Sequence, residues 1–190
     1  MKASNLTGGG DQKKRRELDF YPTPPDVTHA LMKFLHIHPC NIVWEPACGD
    51  GAMAEVIKQY GHEVIATDLR ETGYGEGGVD FLLEDRKCDA IITNPPFNIS
   101  QEFIQHALSQ ARIVAMLLKS QYWHAAKRTS LFNVMRPAFV LPLTWRPDFM
   151  GGERGGAPTM EVAWTVWIDQ EEDTRIRLLE RPNINKGLFA

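Results

Sequence analysis

Residues 41–51 read NIVWEPACGDG. A short apolar run is followed by an acid, a proline and two glycines flanking an aspartate. NIVWE has the length and continuity of a buried strand, CGDG is a tight turn, and residues 52–60 carry helical periodicity up to Gly61, a residue suited to closing a helix. A strand that passes through a glycine turn directly into a helix is the opening unit of an α/β sheet, and its glycines allow a ligand to approach the backbone closely.

The same alternation runs through the rest of the chain. Upstream, residues 25–35 repeat apolar side chains at helical spacing (Val27, Ala30, Leu31, Phe34, Leu35) behind Pro25, which is tolerated in a first turn. Downstream, EVIATD is a strand, GYGEGG a loop and VDFL a candidate short strand. DAIIT is another strand, 99–110 a helix, RIVAMLLK a strand and 121–135 a helix. AFVLPL and MEVAWTVWI are strands joined by a long Gly-, Pro- and Arg-containing loop rather than by a helix, so these last two are expected to pair antiparallel. The expected architecture is a mostly parallel, doubly wound α/β sheet with an antiparallel last strand. Residues 1–16 form a basic arm, 17–169 one domain, and the charged residues 170–190 a peripheral tail.

Composition sets the limits. The chain has 190 residues, 43% apolar and 24% charged, with a formal net charge of −3, as for an ordinary globular protein with a single core. No apolar run approaches the roughly 20 residues of a membrane span, and the N-terminus lacks the apolar core of a secretory signal, so a cytoplasmic location is expected. Cys40, Cys48 and Cys88 are far apart with no paired spacing, and the histidines are scattered, so neither a disulfide framework nor a metal site is expected.

The acids around the glycine turn narrow the ligand. Asp68 ends the second strand about 20 residues beyond the turn, where a carboxylate can accept both hydroxyls of a ribose. Ala54 replaces the third glycine of a pyrophosphate-binding turn, and Glu45 would repel a phosphate. A nucleoside carrying a cationic amine and no phosphate fits, and S-adenosylmethionine is such a molecule.

EPACGDG, then Asp68, VDF and NPPF, resembles the ordered motif series of adenine-N6 DNA methyltransferases. DFYPTPP resembles an upstream motif that in this family closes over the methionine end of the cofactor, and the compact arrangement is most similar to Dam-like enzymes of phages and prophages. The resemblance covers roughly residues 18–168 and implies a class I methyltransferase fold, S-adenosylmethionine as cofactor and double-stranded DNA with a flipped adenine as partner. The location would be the bacterial host's cytoplasm. It also implies that Tyr21, Thr23 and Pro24 border the methionine moiety and that Glu45, Ala47 and Gly49 line the cofactor near its amine. Asp68 would take the ribose hydroxyls, and Asp80 and Phe81 would frame the adenine.

Within TNPPFN, residues 93–98, the chemistry is legible from the residue types. Adenine N6 is a poor nucleophile because its lone pair is delocalised into the ring. Asn94 can offer a side-chain oxygen and Pro95 a carbonyl to its two N–H bonds, on a backbone stiffened by Pro95 and Pro96, while Phe97 can stack on the base. Similar tetrads act on guanine N2 in RNA and on protein amides, so those substrates remain alternatives. A catalytically silent nucleic-acid-binding protein is a third. No separate recognition domain is evident. DNA contacts are therefore expected from residues 118–128 and 145–158, which mix aromatics with cations and include Lys119, Trp123, Arg128, Arg146 and Arg154.

Overall fold

The computed structural model of the protein describes residues 22–37, 41–150, 158–171 and 173–183; Tyr21, Arg154, the basic arm and the glycines of the long loop lie outside the described residues. One seven-stranded sheet dominates, in the order β2-β1-β3-β4-β6-β5-β7. β1 (Ile42–Glu45) pairs in parallel with β2 (Glu63–Ala66) and with β3 (Ala90–Thr93), which pairs in parallel with β4 (Ile113–Lys119). β6 (Val162–Ile168) inserts antiparallel between β4 and β5 (Phe139–Pro142), as the loop connection requires.

The central strands are buried along nearly their whole length, and successive residues join two cores, one on each face of the sheet. Val43, Ile92, Leu117 and Trp164 meet α1 (Pro25–Leu35) and α2 (Ala52–Lys58) on one face. Trp44, Ile91, Met116 and Trp167 meet α3 (Ser100–Gln110) and α4 (Thr129–Val134) on the other. Helices on both faces leave the strand ends as the place where backbone turns can meet a ligand. Among the described residues no helix is long and apolar enough to cross a membrane.

The structure departs from the sequence reading in three places. VDFL forms a 3-10 turn over Phe81–Leu83 in place of a strand, because the Asp80 side chain accepts the Leu82 N–H at 3.0 Å and starts the turn. Residues 121–135 do not form one helix. Two 3-10 turns, Ser120–His124 and Ala126–Arg128, precede the short α4, and the Arg128 guanidinium donates to the Tyr122 carbonyl at 2.7 Å across the break. The charged tail is not merely peripheral. β7 (Arg175–Ile176) adds in parallel to β5, Leu179 is buried in the core, and Arg181 reaches the buried Asp26 at 2.7 Å.

α1 precedes the whole sheet in sequence, and one of its polar contacts reaches β6 directly. The indole N–H of Trp164, fully buried on β6, donates to the Val27 carbonyl at 3.1 Å. Trp164→Phe should keep most of the packing but lose this bond and leave a small void, costing about 1–3 kcal/mol. Urea denaturation checks this: a lower midpoint with unchanged slope is expected, and an unchanged midpoint would show that the contact contributes nothing.

Candidate active site

The strand order places β2 and β3 on opposite sides of β1, so successive crossovers leave β1 in opposite directions and a crevice opens at the carboxyl ends of β1 and β3. Glu45 is the last residue of β1, and Asn94 follows the last residue of β3. The fold alone therefore brings these two side chains, nearly fifty positions apart in the chain, to one cleft. That cleft is lined by Thr23, Glu45, Ala47 and the whole of Asn94, Pro95, Pro96 and Phe97, together with Pro22, Cys48, Asp50, Met53 and Arg70.

Glu45 is only 2% exposed, and its Oε2 has no hydrogen-bond partner. Burial pushes its carboxyl well above the usual range; the Ala54 backbone N–H opposes the shift, while Asp50 and Asp68 add to it. The cleft thus concentrates acids where a cation would relieve them. Cys48 beside it is inert, because burial, Glu45 and Asp68 push its thiol up to about 12.

Asp68 is buried and tied to the glycine turn. Its Oδ2 accepts the Gly49 N–H at 2.9 Å, while Oδ1 accepts the Arg70 backbone N–H at 2.8 Å and its Nε at 3.1 Å. Arg70 therefore covers the carboxylate assigned to a ribose and forms part of the cleft wall. The turn below is held from outside by Tyr74, whose ring fills the space a Cβ on Gly51 would need. The Tyr74 hydroxyl donates to Glu55 at 2.6 Å, and Gly51 has φ +84°, so both space and backbone call for glycine there.

In the tetrad, the Asn94 Nδ2 donates to the Thr23 hydroxyl at 3.2 Å, and its Oδ1 is buried without a partner. The Pro96 carbonyl accepts from the Ile99 N–H at 3.2 Å and the Ser100 hydroxyl at 3.1 Å, which pins the turn. Among the described residues no hydrogen bond engages the Pro95 carbonyl. Two acceptors thus remain open at this turn. Phe97 lines the cleft and carries the Lys119 ammonium 4.1 Å from its ring centroid.

Other sequence-assigned residues stand elsewhere. Phe81 is 2% exposed with its ring edge-on to Trp44 at 4.9 Å, so it supports β1 from within the core instead of presenting its ring to a ligand. Asp80 caps the 3-10 turn, and neither Pro24 nor Gly49 lines the cleft. Trp123 stacks on Phe132 at 4.1 Å, and the Arg128 guanidinium lies 3.6 Å from the Tyr122 ring centroid. Arg146 pairs with Glu161 at 2.6 Å beside a second cavity of ≈ 460 Å³, which also takes in Ser120 and Trp145. Sequence reasoning missed Arg70; the only signal was its position two residues after Asp68.

A buried acid with a raised pKa binds its proton more tightly in the folded than in the unfolded chain. Its contribution to stability is full below the unfolded value and is lost as pH rises toward the folded one. Glu45→Gln removes that loss, so its melting temperature relative to the native protein should rise as the pH increases above about 5. Thermal melts across this range check it, and a difference independent of pH would mean that Glu45 is not held protonated.

No protein-family profile matches the chain, and no curated protein matches it by sequence. Solved structures do resemble it. The type I restriction-modification methyltransferase subunit of Streptococcus thermophilus superposes with a TM-score of 0.67 at 13% identity, over 84% of this chain and 47% of that one. The M protein of the type I restriction enzyme EcoKI gives 0.67 at 14%, over 85% and 49%. A dimethyladenosine transferase from Plasmodium falciparum gives 0.59 at 16%, over 80% and 64%. The chain spans about half the length of the two restriction-modification subunits. Its fold is that of the class I S-adenosylmethionine-dependent methyltransferases, a mostly parallel sheet with β6 antiparallel between β4 and β5.

Proposed function

We propose that the protein methylates the N6 amine of adenine in double-stranded DNA, with S-adenosylmethionine as methyl donor. The observation that carries this reading is the Asn94 carbonyl oxygen, buried without a partner in the same cleft as the unpartnered Oε2 of Glu45. An orphaned buried acceptor costs stability unless something completes it. The cofactor would supply an electrophilic methyl group on a sulfonium. Glu45 and Ala47 would hold its cationic amine end, and Asp68 would take the ribose hydroxyls once Arg70 swings away. That movement would also widen a cleft whose present volume, ≈ 60 Å³, is too small for a nucleoside.

The protein's part in the reaction is positioning and electrostatics. A flipped adenine stacked on Phe97 would place one N6–H on the Asn94 oxygen and the other on the Pro95 carbonyl. Both acceptors favour the pyramidal amine and stabilise the positive charge that grows on nitrogen as it attacks. The cofactor would give up its methyl group, the C–S bond breaking as the C–N bond forms, and the methylated amine, then acidic, would lose its proton to solvent. Lys119, Arg146 and Arg154 are assigned to the DNA backbone, with Trp123 and Arg128 shaping the same edge. Among related substrates, DNA is favoured by the ordered motif series from FYPTPP to NPPF and by the restriction-modification subunits among the similar folds. The compact arrangement resembles the enzymes of phages, which would place it in the cytoplasm of a bacterial host.

Labelled S-adenosylmethionine incubated with DNA, RNA and protein, followed by nucleoside analysis, tests the reading. N6-methyladenine in DNA is expected, and label confined to RNA or protein would overturn it. Two variants divide the roles. Asn94→Ala should abolish transfer with cofactor affinity within a few-fold of native. Asp68→Ala should weaken cofactor binding by about 1.5–3 kcal/mol. Near-normal turnover in the first, or unaltered calorimetric affinity in the second, removes that residue from its role.

A further inference from the structure

The side chain of Asn94 has two ends of opposite character, a carbonyl acceptor and an amide donor, related by a half-turn about its last torsion. An amine substrate donates hydrogen bonds. Only the carbonyl end can serve it, since an inverted amide would set N–H against N–H. Whatever fixes the direction of this amide therefore decides whether the tetrad can work.

In the structure the amide end is held from the other end of the chain. Asn94 Nδ2 donates to the Thr23 hydroxyl at 3.2 Å, across 71 positions of sequence, which leaves Oδ1 as the unpartnered end in the cleft. Thr23 is 6% exposed and stands in the run Pro22-Thr23-Pro24-Pro25. The prolines remove backbone freedom on both sides of it. Pro25 then begins α1, whose Val27 and Leu31 are fully buried and whose Val27 carbonyl is held by Trp164. The hydroxyl is thus presented from a stiff segment anchored in the core.

We propose that Thr23 is the positioning residue that turns the Asn94 carbonyl toward the substrate amine. This rests on the adenine-N6 reading above, and it gives Thr23 a task different from the contact with the methionine end that the motif resemblance implies. A cofactor contact would act on cofactor affinity. A positioning bond acts on turnover once cofactor and DNA are both bound.

Thr23→Val keeps the shape and removes the acceptor. The rate at saturating S-adenosylmethionine and DNA should fall about tenfold or more, the loss of one hydrogen bond in the transition state. Cofactor dissociation constants should stay within about threefold. Thr23→Ser should restore most of the turnover. A weakened cofactor affinity with unchanged saturated rate would overturn the proposal in favour of a cofactor contact. A second readout needs no activity: the side-chain amide signals of Asn94 in nitrogen-15 NMR spectra, identified by their loss in Asn94→Asp. In Thr23→Val these signals should shift and exchange faster with solvent, whereas in Thr23→Ser they should not. Unmoved signals in Thr23→Val would also overturn the proposal. If the native protein transferred no methyl group to DNA while the signals moved as expected, the adenine reading would fail and the Thr23–Asn94 bond would stand.

Discussion

An acid buried without a counter-ion is the constraint around which this molecule is arranged. Glu45 ends β1 with one oxygen unpartnered, within the influence of Asp50 and Asp68, and no lysine or arginine forms an ion pair with it among the described residues. Leaving such a group in the interior opposes folding, and a hydrophobic residue there would stabilise the sheet. The neighbouring Asn94 oxygen is orphaned in the same way. Two uncompensated polar atoms on adjacent strands, both at the crevice where the chain reverses its winding, are best understood as half of a set of interactions whose other half arrives with ligands.

The surrounding structure keeps that half-finished site in place. The glycine turn is stapled from below by Asp68 through the Gly49 N–H and from outside by Tyr74 through Glu55. The tetrad is fixed by Ser100 and the Ile99 N–H on the Pro96 carbonyl, and by Thr23 on Asn94. Every one of these contacts joins segments distant in sequence or turns a loop on itself. None of them touches the two open acceptors of the tetrad. Rigidity around an unfilled centre is what electrostatic catalysis asks of a fold, since the dipoles must already point the right way when charge develops.

Much of this was legible in the amino-acid order. Continuous apolar runs such as those of β3 and β4 fit strands of a sheet covered on both faces, and the residue types of NPPF and EPACGDG pointed to the cleft that Glu45 and Asn94 share. What escaped depended on contacts between distant segments. The apolar pattern of residues 121–135 suits a helix, yet Tyr122 is buried and bound by Arg128, which breaks the run into tight turns. Phe81 is an aromatic ring in the right motif, but its neighbour Trp44 draws it into the core. Arg70 covers Asp68 through a local turn that its residue type does not announce, and the partner of Thr23 lies 71 positions away, beyond the reach of any local pattern.

The most direct test of this account is the proton that the cofactor should expel. Burial favours the protonated form of Glu45 in the free protein above the usual carboxylate range, while the amine of S-adenosylmethionine is cationic below its own pKa. Binding places the cation against the carboxyl and lowers the pKa of the carboxyl, so a proton must leave. Calorimetric titration in buffers of differing ionisation heat should show proton release by the native protein, with no release and weaker binding in Glu45→Gln. Heats independent of buffer in the native protein, with cofactor affinity unaltered in Glu45→Gln, would contradict the claim that the cleft is built around a buried acid awaiting its partner.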